Sequence, residues 1–144
     1  MRRISAALII LLGLACAALA QVVTVKPFPD GQAGRTNNIV ASTTGTTGAI
    51  TATLTGVANA TTYICGFTVT SAGTTAATLG NITVTGVPTT MNFTYAFVSS
   101  GQGVFGIQFT GCIAGSAQNT NIVVNVPAGG AGTTVAATAW GYTN

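Results

Sequence analysis

Apolar and polar residues alternate with a period of two along most of this chain. Ile50, Ala52 and Leu54 fall on one side of an extended segment, and Thr51, Thr53 and Thr55 on the other. The same alternation groups Tyr63, Cys65, Phe67 and Val69 within Thr62–Thr70, and Ile82 with Val84 within Asn81–Thr85. It groups Met91, Phe93, Tyr95 and Phe97 within Met91–Val98, and Phe105, Ile107 and Phe109 within Val104–Thr110. Ile122, Val124 and Val126 follow within Thr120–Val126. In Thr133–Tyr142, Val135, Ala137 and Ala139 oppose Thr138, Trp140 and Tyr142. Asn38–Ser42 and Thr74–Leu79 carry a weaker version of the pattern. Successive side chains of a strand point to opposite faces, so each run predicts a strand with one buried and one wet face.

These segments are rich in β-branched and aromatic residues and are separated by Gly, Pro, Asn and Ser, as strands and turns are. No helical period with caps follows the leader. The expected fold is all-β: an antiparallel β-sandwich of eight or nine short strands, jelly-roll-like or Ig-like, with one disulfide. The single Trp lies near the C-terminus rather than between the two Cys of the body, which does not suit the antibody-type pattern. Thr-x-Thr recurs at Thr51, Thr68 and Thr83 with unequal spacing, so no repeat period is set.

The beginning of the chain follows other rules. Arg2 and Arg3 precede an apolar run from Ala6 to Leu14, and Ala18-Leu19-Ala20 is a small-x-small cleavage site. Residues 1–20 therefore predict a secretory signal peptide cleaved before Gln21. Acylation of Cys16 is the lesser alternative, because Gly13 stands where a lipobox carries a Leu-like residue. Residues 21–37 form an N-terminal arm with an extended stretch at Gln21–Val25 and a turn at Pro27–Gly31. Residues 38–144 are the folded domain. The expected location is the cell surface or extracellular space, or the periplasm, with no membrane association after cleavage.

Charge sharpens this division. Between Thr36 and Asn144 there is no Asp, Glu, Lys, Arg or His. The chain's formal charge is +3, and removing Arg2 and Arg3 with the leader leaves +1, carried by Lys26, Asp30 and Arg35 in the arm. A body without basic residues cannot neutralise phosphates, so nucleic acid is not an expected partner. General acid–base catalysis, nucleophile activation and ordinary metal ligation need side chains that the body lacks, so catalytic residues, metal ligands and cofactors are all expected to be absent. Gly101-Gln102-Gly103 and Gly129-Gly130-Ala131-Gly132 lack the helix and Lys of a phosphate loop and read as turns. Three Asn-x-Thr sequons, at Asn59, Asn81 and Asn92, are incidental in a Thr-rich chain.

Two features remain. Cys65 and Cys112 are expected to form a disulfide in an exported protein, tying the third strand to a loop across the sandwich. The alternative, a reactive thiol, lacks a neighbouring cation to activate it. Trp140 and Tyr142 share a strand face. They read as core or interface residues, or alternatively as a stacking site for a sugar ring.

Cys65-Gly66-Phe67, Phe109–Ala117, Asn119-Thr120, Ile122-Val123-Val124 and Trp140-Gly141-Tyr142 resemble a group of small exported Ala/Thr/Gly-rich proteins of bacterial and phage genomes. The likeness covers about the last eighty residues. It implies a disulfide-bearing β-domain in a virion or cell-surface setting and assigns no site. The function expected from residues and resemblance together is a non-catalytic extracellular structural module, surface- or virion-associated, that self-assembles or packs on a partner. A glycan- or surface-binding, adhesin-like module is the alternative. Ice binding would need a regular Thr lattice, which the unequal spacing denies, and an enzyme would have to work with hydroxyls and amides.

Stability depends on pH only where folding changes proton binding. With no His or acidic side chain in the body, thermal melts are expected to give a flat Tm from about pH 4 to about pH 8. A steep fall within that window would show a titrating group coupled to the fold.

Overall fold

Among the described residues the alternating segments form eight strands: β1 (Asn37–Thr46), β2 (Ile50–Leu54), β3 (Thr62–Gly73), β4 (Thr78–Thr85), β5 (Met91–Phe97), β6 (Gly101–Ala114), β7 (Ile122–Val126) and β8 (Thr134–Thr143). The computed structural model describes residues 37–73, 78–97 and 101–144. The expected leader with Cys16, the arm up to residue 36 with its three charges, and the first part of Thr74–Leu79 lie outside the described residues. The last residues of Thr74–Leu79 join Asn81–Thr85 in one strand, β4, which runs through Gly80.

Pairing follows from a single reversal of the chain. Val84 lies opposite Met91, Ser71 opposite Gly103, Ile50 opposite Val126 and Asn37 opposite Thr143. The body is thus one long hairpin whose tight end joins β4 to β5. Gly86 makes that turn with φ of 82°, and a Cβ there would collide with the Asn121 carbonyl. Rolling the ribbon sets β3 beside β8 and β4 beside β7. Two four-stranded antiparallel sheets result, in the orders β1-β8-β3-β6 and β2-β7-β4-β5. This is jelly-roll connectivity; an Ig-type sandwich distributes its strands differently.

The core lies between the sheets. Ile50, Ala52, Leu54, Ile82, Val84, Ile122, Val124 and Val126 come from the β2-β7-β4-β5 sheet, and Ile64, Phe67, Val69, Val135, Ala137 and Ala139 from the other. Phe67, Phe93 and Phe105 meet in a tilted cluster with ring centroids 5.5–6.1 Å apart. Tyr95 is buried among them, its hydroxyl 2.8 Å from Ser71 Oγ, so its polar end is satisfied. Thr62 Oγ1 is buried without a partner.

The wet faces are solvated without ions. On the outside of the β2-β7-β4-β5 sheet, Thr51, Asn125, Thr83 and Asn92 form a row across four strands. Asn125 Nδ2 donates to Thr83 Oγ1 at 3.3 Å, and Asn81 Nδ2 donates to Asn92 Oδ1 at 3.1 Å. The sequons at Asn81 and Asn92 therefore stand on a strand pair, within this neutral ladder.

Strand β3 departs from the expected alternation. Its register shifts between Ile64 and Gly66 against both β6 and β8. Cys65 is the extra residue, and the bulge reverses the parity on its N-terminal side. Ile64 enters the core and Tyr63, expected inward, turns to the outer face. Opposite Cys65, β6 carries four residues, Phe109 to Cys112, before Ile113 pairs with Ile64. Cys112 is thus a strand residue, and the Cys65–Cys112 disulfide joins neighbouring strands of one sheet, with Cα atoms 4.1 Å apart. The expected bridge to a loop across the sandwich is corrected accordingly.

The bridge spans 47 residues, and closing a loop of that size restricts the unfolded chain by about 4 kcal/mol in the loop-closure account. The double variant Cys65→Ala, Cys112→Ala is expected to lose stability of that order in chemical denaturation. A loss of only a few tenths would show that the bulge is held by packing alone.

Candidate functional site

The outer face of the β1-β8-β3-β6 sheet carries what the Thr-rich faces lack, an aromatic group. Strand β8 alternates Val135, Ala137 and Ala139 inward with Thr138, Trp140 and Tyr142 outward. Neither Trp140 nor Tyr142 is part of the core between the sheets. Their settings differ. Tyr142 is 5% exposed and stacks on Tyr63 with ring centroids 4.5 Å apart and planes within 6°. The pair forms because the β3 bulge brings Tyr63 to the outer face, opposite Tyr142 in the register.

Trp140 is partly exposed and lies across the neighbouring strand. It pairs with Gly66 of β3, and its six-membered ring occupies the space above that glycine. A Cβ on Gly66 would run into this ring and would stand 2.6 Å from the Ile107 carbonyl oxygen. Any other residue at 66 would lift the indole off the sheet. On the other side of Trp140, β1 places Val40, which is 70% exposed. Beyond Gly66, β6 places the exposed Gln108. One row across the sheet thus reads Val40, Trp140, Gly66, Gln108.

Hydroxyls and amides flank the row. Ser42, Thr138 and Thr68 form the next row on one side, with Ser42 Oγ and Thr138 Oγ1 sharing a hydrogen bond of 3.0 Å. Asn38 lies beside Tyr142 on the other. Asn38 and Val40 also border a hollow of about 400 Å³, lined further by Ile39, Thr53, Leu54, Thr55 and Val57. Among the described residues no three His, Cys, Asp or Glu side chains come together. The chemistry on offer is stacking, apolar contact and neutral hydrogen bonding.

No protein-family model matches the sequence, and no curated protein or solved structure matches it either.

Of the four residues singled out from the sequence, the structure joins Cys65 with Cys112 in the bulge and sets Trp140 and Tyr142 on the face that the bulge reshapes. Tyr63, Gly66, Val40 and Gln108 were not legible as site residues. Their place depends on cross-strand register, which a local pattern does not carry. One signal was present: Ile64 is apolar at a position where unbroken alternation requires a polar residue.

Gly66→Ala is expected to cost at least about 1 kcal/mol, because one of the two clashing groups is backbone and cannot swing away. It should also shift the emission of the single Trp to the red as the ring moves into water. An unchanged melt with unchanged emission would contradict the described seating of Trp140.

Proposed function

We propose that this protein is a non-catalytic structural module of the cell surface or virion exterior, which assembles with copies of itself or packs on a partner. The disulfide fits folding in an oxidising compartment, and the signal-like leader supports export. Among the described residues no helix is long and apolar enough to cross a membrane.

The observation that carries the reading is the open side of the sandwich between β5 and β6. Each strand ends its sheet, and the two edges face each other, as the Phe93 and Phe105 rings 6.1 Å apart show. Met91 and Phe93 on β5, with Phe105, Ile107 and Phe109 on β6, are only partly buried there. Val104, on the outward side of β6, is 74% exposed. Natural edge strands are kept from pairing by charges, prolines or shortness. β5 and β6 contain no charged residue and no proline, and β6 runs for 14 residues. The β6 bulge protects one end only. An edge left in this state suits addition of another strand or closure by another subunit.

The exported protein is expected to scatter light as an oligomer across a wide concentration range. Val104→Lys, which sets an ammonium group on the exposed side of the uncharged β6 edge strand, should shift it toward monomer while circular dichroism stays that of a β protein. A wild-type mass equal to one chain at every concentration would overturn the proposal.

A further inference from the structure

The row Val40, Trp140, Gly66, Gln108 points to a ligand site on the outer face of the β1-β8-β3-β6 sheet, and we propose that it binds neutral polysaccharide. The pyranose units of a hexose chain present apolar C–H faces and a rim of hydroxyls. The site presents the complement: an indole laid across a glycine, an exposed valine beside it, and hydroxyl and amide groups around both.

Several features make the platform more than a shielded tryptophan. Gly66 leaves room for the ring to lie over the sheet instead of standing out from it. Tyr63 and Tyr142 form a stacked, largely buried wall on one side, and the Cys65–Cys112 bridge fixes the bulge on which Tyr63 depends. The ring is therefore held in place before any ligand arrives, which lowers the ordering cost of binding. The row crosses three interstrand spacings, about 14 Å, the length of a short oligosaccharide.

Charge selects the class of ligand. Between Thr36 and Asn144 no side chain is ionisable except Tyr and the paired Cys. A uronic acid, sulfated sugar or nucleic acid would lose hydration here with no cation to meet it. A neutral hexose polymer loses only hydroxyl hydration, which Ser42, Thr68, Thr138, Asn38 and Gln108 can replace. Binding should accordingly be insensitive to salt.

The chain has one tryptophan, so intrinsic fluorescence reports on the site directly. The exported protein is titrated with soluble neutral glucans, mannans and galactans, and its retention on insoluble cellulose and chitin is measured. At least one polymer is expected to change the Trp emission or retain the protein, equally at low and at high salt. Trp140→Ala should weaken retention by at least about tenfold, whereas Trp140→Tyr keeps part of it and Trp→Phe at the same position keeps less. Three results would overturn the proposal: no response across the panel, retention unchanged in Trp140→Ala, or a preference for anionic polymers abolished by salt. If Trp140→Ala instead changes the mass seen by light scattering without changing retention, the platform is a subunit interface and the proposal fails. The edge variant Val104→Lys, four residues along β6 from Gln108 and paired with Thr70, is expected to leave Trp-reported binding intact, so the two proposals stand or fall separately.

Discussion

Backbone pairing along one folded ribbon governs the rest of this structure. Each of β1, β2, β3 and β4 pairs with the strand that a single reversal at Gly86 brings opposite it: β8, β7, β6 and β5. Side chains then have no freedom to choose a face. A slip of one residue would send the Thr rows inward and the aliphatic rows out. Because most partners are far apart in sequence, such a fold gains little before distant segments meet. The disulfide restricts this search by joining β3 to β6 within the ribbon.

The second constraint is solvation without charge. Surfaces usually keep molecules apart with interspersed ions. Here rows such as Thr51, Asn125, Thr83 and Asn92 do the solvating by hydroxyl and amide. Such a face is wet yet does not repel its own copy, and salt cannot screen what is not there. The same neutrality would give the proposed Trp140 site its selectivity. The proposed assembly and the proposed ligand choice would both trace to one compositional fact, the first through the β5 and β6 edges and the second through the outer face of the β1-β8-β3-β6 sheet.

Much of the fold was legible because alternation is local. Ile50, Ala52 and Leu54, or Ile122, Val124 and Val126, declare their faces within a few residues, and burial follows the pattern. The sandwich class was reached in this way, and the disulfide pairing from the count of two cysteines in the body. Parity beyond a bulge was not legible. Tyr63 and Phe67 are an even number of residues apart and look like same-face neighbours, yet Cys65 sends Tyr63 outward and admits Ile64 to the core. Cys112 was misplaced for the same reason: the four β6 residues opposite one β3 residue cannot be counted from either strand alone. The seating of Trp140 over Gly66 depends on that register and was hidden with it.

Asn37 and Thr143 face each other across adjacent strands, and this has a mechanical meaning. Tension applied at the two ends of the body would act on neighbouring strands at the same end of the ribbon. The β1–β8 hydrogen bonds would then break one pair after another, as a zipper opens, instead of sharing the load in shear. The covalent tie between β3 and β6 limits how far such peeling can spread. A sheath or fibre built from this unit would hold better if force passed sideways, from edge to edge through its subunits, than if it ran through the chain from end to end.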